Sequence, residues 1–368
     1  MNILMTQINE RTRLLNDKMP NNDGKYVLYW MQMYKRTGYN SALNFAIRQA
    51  NERKIPLVVY EGLKYYYPWA NDRIHTFILE GVEEKRREFE KLGIRYVFFL
   101  QKDENSEKQV VAKIAREACL IVTDDFPCFI IPEHNRRIAE KAQIPVYAVD
   151  SNGVIPMSKF EKEQYAAYTI RPRIKRFLPE YIKSEPDETV IIRSNDLIID
   201  VPETLVDSSN IAELVSRSAI DHSVKPSGIY HGGTANARRR LRHFIKNIFP
   251  NYAKTRNECS VDGSSRLSPY LHFGYISVFE IIEAVEQFDV PAESKEPFLE
   301  ELIVRRELAY NFTNFNPHYN SLECLPNWTQ ETMRKHADDP RDRIYTADQL
   351  EAGRTHDEIW NAAQRELV

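Results

Sequence analysis

Cysteine is scarce. The 368-residue chain has four, Cys119, Cys128, Cys259 and Cys324, and no two stand as a CxxC pair. Their spacing fits neither a zinc site nor a disulfide framework, so no metal is expected and buried, reduced thiols are. Long apolar runs are missing as well. No stretch of about 18 apolar residues occurs, which argues against a transmembrane helix. The opening MNILMTQINERTRLL lacks the apolar core of a signal peptide. These two absences together predict a cytoplasmic protein. Neither sign of charge dominates: 50 Lys and Arg stand against 53 Asp and Glu, a net charge of −3. Any polyanionic partner must therefore be read from local patches. A GxGxxG turn is also missing after the first apolar run, which argues against an ordinary dinucleotide-binding domain.

What is present has two rhythms. Residues 25–150 alternate short, nearly continuous apolar runs with amphipathic segments. KYVLYWM (25–31), IPLVVYEGL (55–63), RYVFFL (95–100), CLIVTDD (119–125) and PVYAVD (145–150) read as strands buried on both faces. SALNFAIRQANERK, DRIHTFILEGVEEKRREFEKLG, EKQVVAKIAREA and PEHNRRIAEKAQ read as the helices between them, with Gly93 closing the second. Strict alternation predicts an α/β N-terminal domain built on a parallel, Rossmann-like sheet with right-handed crossovers. From about 156 to 225 the periodicity fails, and the segment reads as a long connection with a few short elements. From 226 onward every periodic segment is helical, and Ser277 with Glu280 makes a capping box before VFEIIEAVEQF. The predicted domains are 1–155, a connection over 156–225, and an all-helical domain over 226–368.

Four stretches of the helical part carry candidate chemistry. Residues 226–256 hold seven Arg or Lys and no Asp or Glu. Leu241, Phe244, Ile245 and Ile248 can face a core, leaving Arg238, Arg239 and Arg242 on other faces. That surface is either a solvated helix face or a phosphate-contacting one. In SSRLSPYLHFG, Ser268 and Pro269 read as N-cap and first helical residue. The cap leaves Ser264, Ser265 and Arg266 unexplained, and hydroxyls beside a helix start suit a pyrophosphate. In FLEELIVRRELAYNF, Glu301 and Arg305 are four apart on a helix that is otherwise largely apolar. They read as an intrahelical pair or, given their neighbours, as buried charges with a function. In THDEIWNAAQRELV, Thr355 reads as the cap, with Asp357 and Glu358 in the first turn, and Trp360 reads by default as core. The chain stops at Leu367-Val368 with no glycine, basic last turn or polar tail, as if that helix were cut off.

GSSRLSPYLHFGYIS, FLEELIVRRELAYNF and THDEIWNAAQRELV together resemble signatures of the DNA photolyase/cryptochrome family, most of all its class II cyclobutane pyrimidine dimer photolyases. DGKYVLYWMQMYKRTGYNSALNFAIRQA is similar to the start of those enzymes, so the likeness runs over nearly the whole chain. The resemblance implies an α/β antenna-type domain, a linker and a helical domain that binds FAD. It implies that Tyr252 and Ser264, Ser265, Arg266, Leu267 and Ser268 contact the flavin cofactor, with Arg305 near the cofactor or DNA. It implies that Arg256 and Asn257 touch the lesion or its flanking phosphates and that Glu301 hydrogen-bonds the flipped-out dimer. Trp360 would belong to the chain of tryptophans that carries electrons to the flavin. The implied activity is light-driven repair of pyrimidine dimers in UV-damaged DNA, by electron transfer from photoexcited reduced FAD, in a monomer that could also carry an antenna chromophore. The resemblance also implies that family members continue past the position of Val368, where the rest of the flavin pocket would lie. A cryptochrome-like photosensor and a truncated, impaired homologue are the alternatives.

Overall fold

The five apolar runs become five of the six strands of one sheet. In the computed structural model, which describes residues 9–367, the strands are β1 (Thr12–Leu14), β2 (Tyr26–Met31), β3 (Leu57–Lys64), β4 (Arg95–Gln101), β5 (Ala118–Asp124) and β6 (Val146–Val149). Their order is β1-β6-β5-β2-β3-β4, with every pair parallel except β1 against β6. All of β2 and β5 is buried. Alternation along β2 sends Val27 and Tyr29 into one core with Phe45, Val59 and Phe89, and Tyr26, Leu28 and Trp30 into another with Val58, Val97 and Ile114. Both faces of the sheet are therefore covered, as uninterrupted apolar strands require. Strand β1 was not predicted: of its three residues only Thr12 is buried, which leaves no alternation to read.

The helices Ser41–Arg53, Val110–Ala115 and Ile131–Lys141 lie where the periodicity predicts them. The segment read as one helix over 72–93 is two, Asp72–Glu80 and Val82–Leu92, divided at Gly81. A Cβ on Gly81 would stand 2.5 Å from the Tyr275 ring, so the break marks where the helical part of the chain presses on this one. Gly93 ends the second helix at φ 81°, as expected. Within 156–225 the elements are not all short: the segment contains the 15-residue helix Ala167–Tyr181. Pro172 and Pro179 lie inside that helix and disguise its pattern, although Ile170 and Ile174 are buried at helical spacing.

Downstream come the helices Thr234–His243, Tyr252–Thr255, Ser268–His272, Val278–Gln287, Ala292–Leu299 and Arg306–Phe315. Wider π-helical turns, Phe244–Ile248 and Glu300–Arg305, interrupt this series twice. Leu241, Phe244 and Ile248 are buried as predicted. Ser277 caps its helix through Phe279 N, while Glu280 pairs with Arg238 at 2.5 Å, so only half of the capping box forms. One compact unit runs through Phe315 and a second begins at Asn316. The second contains the helices Asn327–Lys335, Ala347–Glu351 and Glu358–Leu367.

Among the described residues no helix is long and apolar enough to cross a membrane. The readings of the first residues, Met1 to Ile8, and of the terminal Val368 lie outside the described residues. All four cysteines are free, but only Cys119, in β5, is buried, and Cys259 is exposed. The expectation of buried thiols thus holds for Cys119 alone; Cys128 and Cys324 are half-buried and Cys259 lies in an exposed turn.

Candidate functional site

A glycine sets the geometry of the site. Gly263 lies so close to the turn before it that a Cβ would stand 2.4 Å from the Thr255 carbonyl oxygen. Only glycine permits that approach, and it holds Ser264–Ser268 against the turn bearing Tyr252 and Arg256. Arg240 fixes the run from the other side, donating from Nε to the Ser265 carbonyl at 2.8 Å and from Nη2 to the Ser264 carbonyl at 3.1 Å. Tyr252 is buried, its ring edge-on to Phe298 at 5.3 Å and to Phe244 at 5.9 Å. Burial raises its phenol above the usual range. Arg256, one turn on, donates to Glu301 Oε1 at 3.1 Å, and Asn257 beside it is exposed.

The serine run itself differs from the expectation. Leu267 occupies the N-cap position without a side-chain hydrogen bond, so Ser268 and Pro269 lie inside the first turn of a five-residue helix, Ser268–His272. The Ser265 hydroxyl instead accepts from Leu267 N at 3.4 Å. Arg266 has φ 52°, a left-handed conformation that costs a non-glycine residue about 1–2 kcal/mol. Its guanidinium donates to Asp262 at 2.8 Å, and Arg240 comes within 3.9 Å of the same carboxyl. Two guanidinium groups, one carboxylate and the exposed hydroxyls of Ser264 and Ser268 make a donor set with surplus positive charge.

Glu301 and Arg305 do not form the expected pair, and neither is buried. In a π-helical turn the facing residue is five positions away, so Arg305 meets Glu300, at 3.9 Å. Leu302, Ile303 and Val304 take the buried side of that turn. Glu301 is left outside with 45 % of its side chain exposed, paired to Arg256. Trp360 belongs to the second unit, where it is 48 % exposed and not core. The cap of its helix is Asp357, whose Oδ1 accepts from Ile359 N at 2.9 Å and Trp360 N at 3.1 Å. Thr355 instead accepts from Asp357 N. The structure thus brings together Tyr252, Arg256, Asn257, Ser264–Ser268 and Glu301. Sequence reasoning missed Arg240, Asp262 and Gly263; of these, only the glycine carried a local signal.

A second constellation lies at the carboxyl ends of β2, β3 and β5, where the strand order reverses and open α/β sheets bind ligands. Asp124 accepts from Tyr29 Oη at 2.7 Å and from the backbone N–H of Gln32, Met33 and Tyr34, which fixes the loop after β2. Gln32 then bonds His134 Nδ1 at 2.8 Å, and Trp30 stacks on the His134 ring at 5.6 Å. Tyr67 stacks on His75 at 5.7 Å, and the exposed Trp69 on Phe129 at 5.9 Å. Burial pushes both His75 and His134 down to about 4, so these imidazoles are neutral near pH 7. The run YYYPWAN was the signal available in the sequence.

A family model described as DNA photolyase matches residues 27–190. The chain is 36% identical over 361 residues to the deoxyribodipyrimidine photo-lyase of Methanothermobacter thermautotrophicus, covering 98% of this chain and 77% of that one. It is 33% identical to the deoxyribodipyrimidine photo-lyase of Potorous tridactylus, covering 98% of this chain and 67% of that one. Among solved structures, a bacterial class III photolyase from Agrobacterium tumefaciens superposes with a TM-score of 0.67 at 17% identity. That match covers 100% of this chain and 70% of the other.

Proposed function

This chain belongs to the DNA photolyase family, and on that premise we propose that it is a deoxyribodipyrimidine photo-lyase, repairing cyclobutane pyrimidine dimers in DNA with FAD and light. Within that reading, residues 1–155 form the antenna-type domain, 156–225 the connection and 226–368 the flavin- and DNA-binding part, of the class II kind. The observation that carries the reading is the Arg256–Glu301 pair, 3.1 Å apart at the end of the turn held against the serine run.

The residues present fit a flavin dinucleotide. Arg240, Arg266 and the hydroxyls of Ser264 and Ser268 suit a diphosphate, which would take the place of Asp262 on the two guanidinium groups. Tyr252 contributes a buried aromatic wall. The chemistry that bound, reduced FAD supplies is light-driven transfer of one electron to the dimer and recovery of that electron after the ring has opened. The chain's own residues do the rest. Arg239 and Arg242, exposed on the basic helix, draw in the phosphate backbone. The dimer leaves the stack, which costs less than flipping a sound base because a dimer is poorly stacked and paired. Glu301 accepts from a pyrimidine imide N–H, and Arg256 donates to a carbonyl or flanking phosphate, placing positive charge where the electron arrives. The aromatic cluster at the carboxyl end of the sheet, around Trp30, Tyr67, Trp69 and Phe129, is the proposed seat of an antenna chromophore.

The test is repair of a dimer-containing oligonucleotide by flavin-loaded protein under blue light, with a dark control. Light-dependent dimer loss supports the reading; flavin-loaded protein without repair overturns it. The variant Glu301→Ala is expected to lower repair about tenfold, the scale of one charge-assisted hydrogen bond, with flavin absorbance unchanged. Equal yields in variant and parent would remove Glu301 from the mechanism.

A further inference from the structure

The helix Ala167–Tyr181 carries Arg171, Arg173, Lys175 and Arg176 against a single acid, Glu180. Ile170 and Ile174 anchor it in the core. At helical spacing Tyr168, Arg171 and Lys175 then line one stripe beside that anchored face. The stripe meets the π-helical turn Glu300–Arg305. Arg171 donates to Glu300 Oε1 at 2.6 Å, Arg305 approaches the same carboxylate at 3.9 Å, and Lys175 is close enough to stabilise its charge. Together they hold Glu300 below the usual carboxylate range, the Arg171 hydrogen bond contributing most. A surface carboxylate needs one cation for a pair; this one faces three, which leaves positive charge unmatched. At the end of the stripe, Tyr168 donates to the Tyr165 hydroxyl at 2.8 Å, with both rings exposed. The next residue in the turn is Glu301, paired with Arg256.

We propose that Tyr168, Arg171, Lys175 and Arg305 form a seat for the phosphate backbone of the DNA duplex that flanks the lesion. The inference rests on the repair reading above for the nature of the nucleic acid, and extends it to a surface in which only Arg305 was already expected near the cofactor or DNA. Charge complementarity selects the occupant. Unmatched cations aligned with hydroxyls and exposed aromatic rings suit a sugar-phosphate strand, and the seat begins one residue from the pair assigned to the dimer. A duplex entering with its lesion at Arg256 and Glu301 therefore has its flank over Glu300, where phosphates replace that carboxylate as partners of Arg171 and Arg305.

Lys175 tests this because it is exposed and belongs to neither the flavin nor the lesion site. Binding of the full chain to a dimer-containing duplex is measured in the dark over a range of salt concentrations, for the parent, Lys175→Ala and Lys175→Arg. The seat requires the log–log salt slope of Lys175→Ala to fall by about one, the value for one lost phosphate contact, and Lys175→Arg to keep the parent slope. A short single strand that only covers the dimer should bind parent and Lys175→Ala equally. An unchanged slope on the duplex overturns the proposal, and so does an equal loss on both substrates. Failure of the repair reading shows separately, as a parent that binds damaged and undamaged duplex alike. In that case the slopes are compared on undamaged duplex, where phosphate contacts require the same change.

Discussion

Glu307 shows what a single buried residue commits the protein to. Its Oε1 accepts from Val154 N at 2.6 Å, while Oε2 has no partner among the described residues. Asp150 Oδ2 also lacks a hydrogen bond, with the Arg11 guanidinium 4.0 Å away, and a Cβ on Gly153 would lie 3.4 Å from the first oxygen and 3.3 Å from the second, so both face one spot. Burial, with Asp150 adding to it, pushes the Glu307 carboxyl up to about 7 despite Arg306 and Arg11 nearby. The folded state therefore keeps a proton that the unfolded chain releases near 4.5. The raised carboxyl stabilises the fold fully at acid pH and loses that contribution as pH climbs from about 4.5 to about 7. The unfolding free energy from urea titrations across this window should decline in the parent by on the order of 3 kcal/mol. In Glu307→Gln, which carries no titrating proton, that decline should be absent; an equally steep profile in the variant would show that Glu307 is not its source. None of this was legible in the sequence, where Glu307 is one more acid in FLEELIVRRELAYNF. Glu301, four letters into the same motif, was recognisable by type, but its exposure and its partner were set by a backbone irregularity that spacing does not encode.

That irregularity belongs to the scale of elements, where the sequence was most informative. The buried strands and crossover helices announce themselves because sheet burial demands unbroken apolar runs and helix burial demands a 3.6-residue period. The misses are elements whose stability comes from elsewhere. Strand β1 is three residues at an edge, and Ala167–Tyr181 holds its prolines because Ile170 and Ile174 are packed. The two π-helical turns leave no periodic trace, yet one of them decides that Arg305 faces Glu300 and not Glu301. Close backbone approach is similarly silent. Gly263→Ala forces a Cβ to within 2.4 Å of the Thr255 carbonyl oxygen, so the serine run must move away from the Tyr252 turn. The expected result is a flavin content reduced at least tenfold in purified protein, read from its visible absorbance, with a modest fall in melting temperature. Gly228→Ala is the control, since a Cβ there meets nothing within 4 Å. If both variants retain flavin equally, the Gly263 approach does not build the site.

At the scale of the molecule, the site depends on how firmly its helices rest on the sheet. Arg36 donates to the Gly274 carbonyl at 3.0 Å and the Ser151 carbonyl at 2.8 Å. Gly274 itself, at φ 70°, lies so close that a Cβ would stand 2.1 Å from the Met33 carbonyl oxygen. The Tyr275 hydroxyl reaches the carbonyls of Ile78 at 2.9 Å and Phe77 at 3.1 Å. Beneath its ring, 5.6 Å from the centroid, lies the ammonium of Lys85. Lys85 and Lys35 both donate to the buried Glu61, at 2.5 and 3.0 Å, and Tyr96 donates at 2.7 Å. These partners overcome the desolvation that opposes ionisation and hold the Glu61 carboxyl down to about 2. The segment carrying Tyr270 and Tyr275 directly follows the serine run, so this polar seam fixes where the candidate flavin site sits above the sheet. A seam of buried, mutually satisfied groups should also make sheet and helices open as one cooperative unit. Tyr275→Phe keeps the packing and removes the hydroxyl, with an expected loss of about 1–3 kcal/mol. Hydrogen exchange followed by peptide should then show protection falling equally in β3 and in the helix Val278–Gln287. A loss confined to the helix would mean that the two halves open independently and that the flavin site is positioned by the helical part alone.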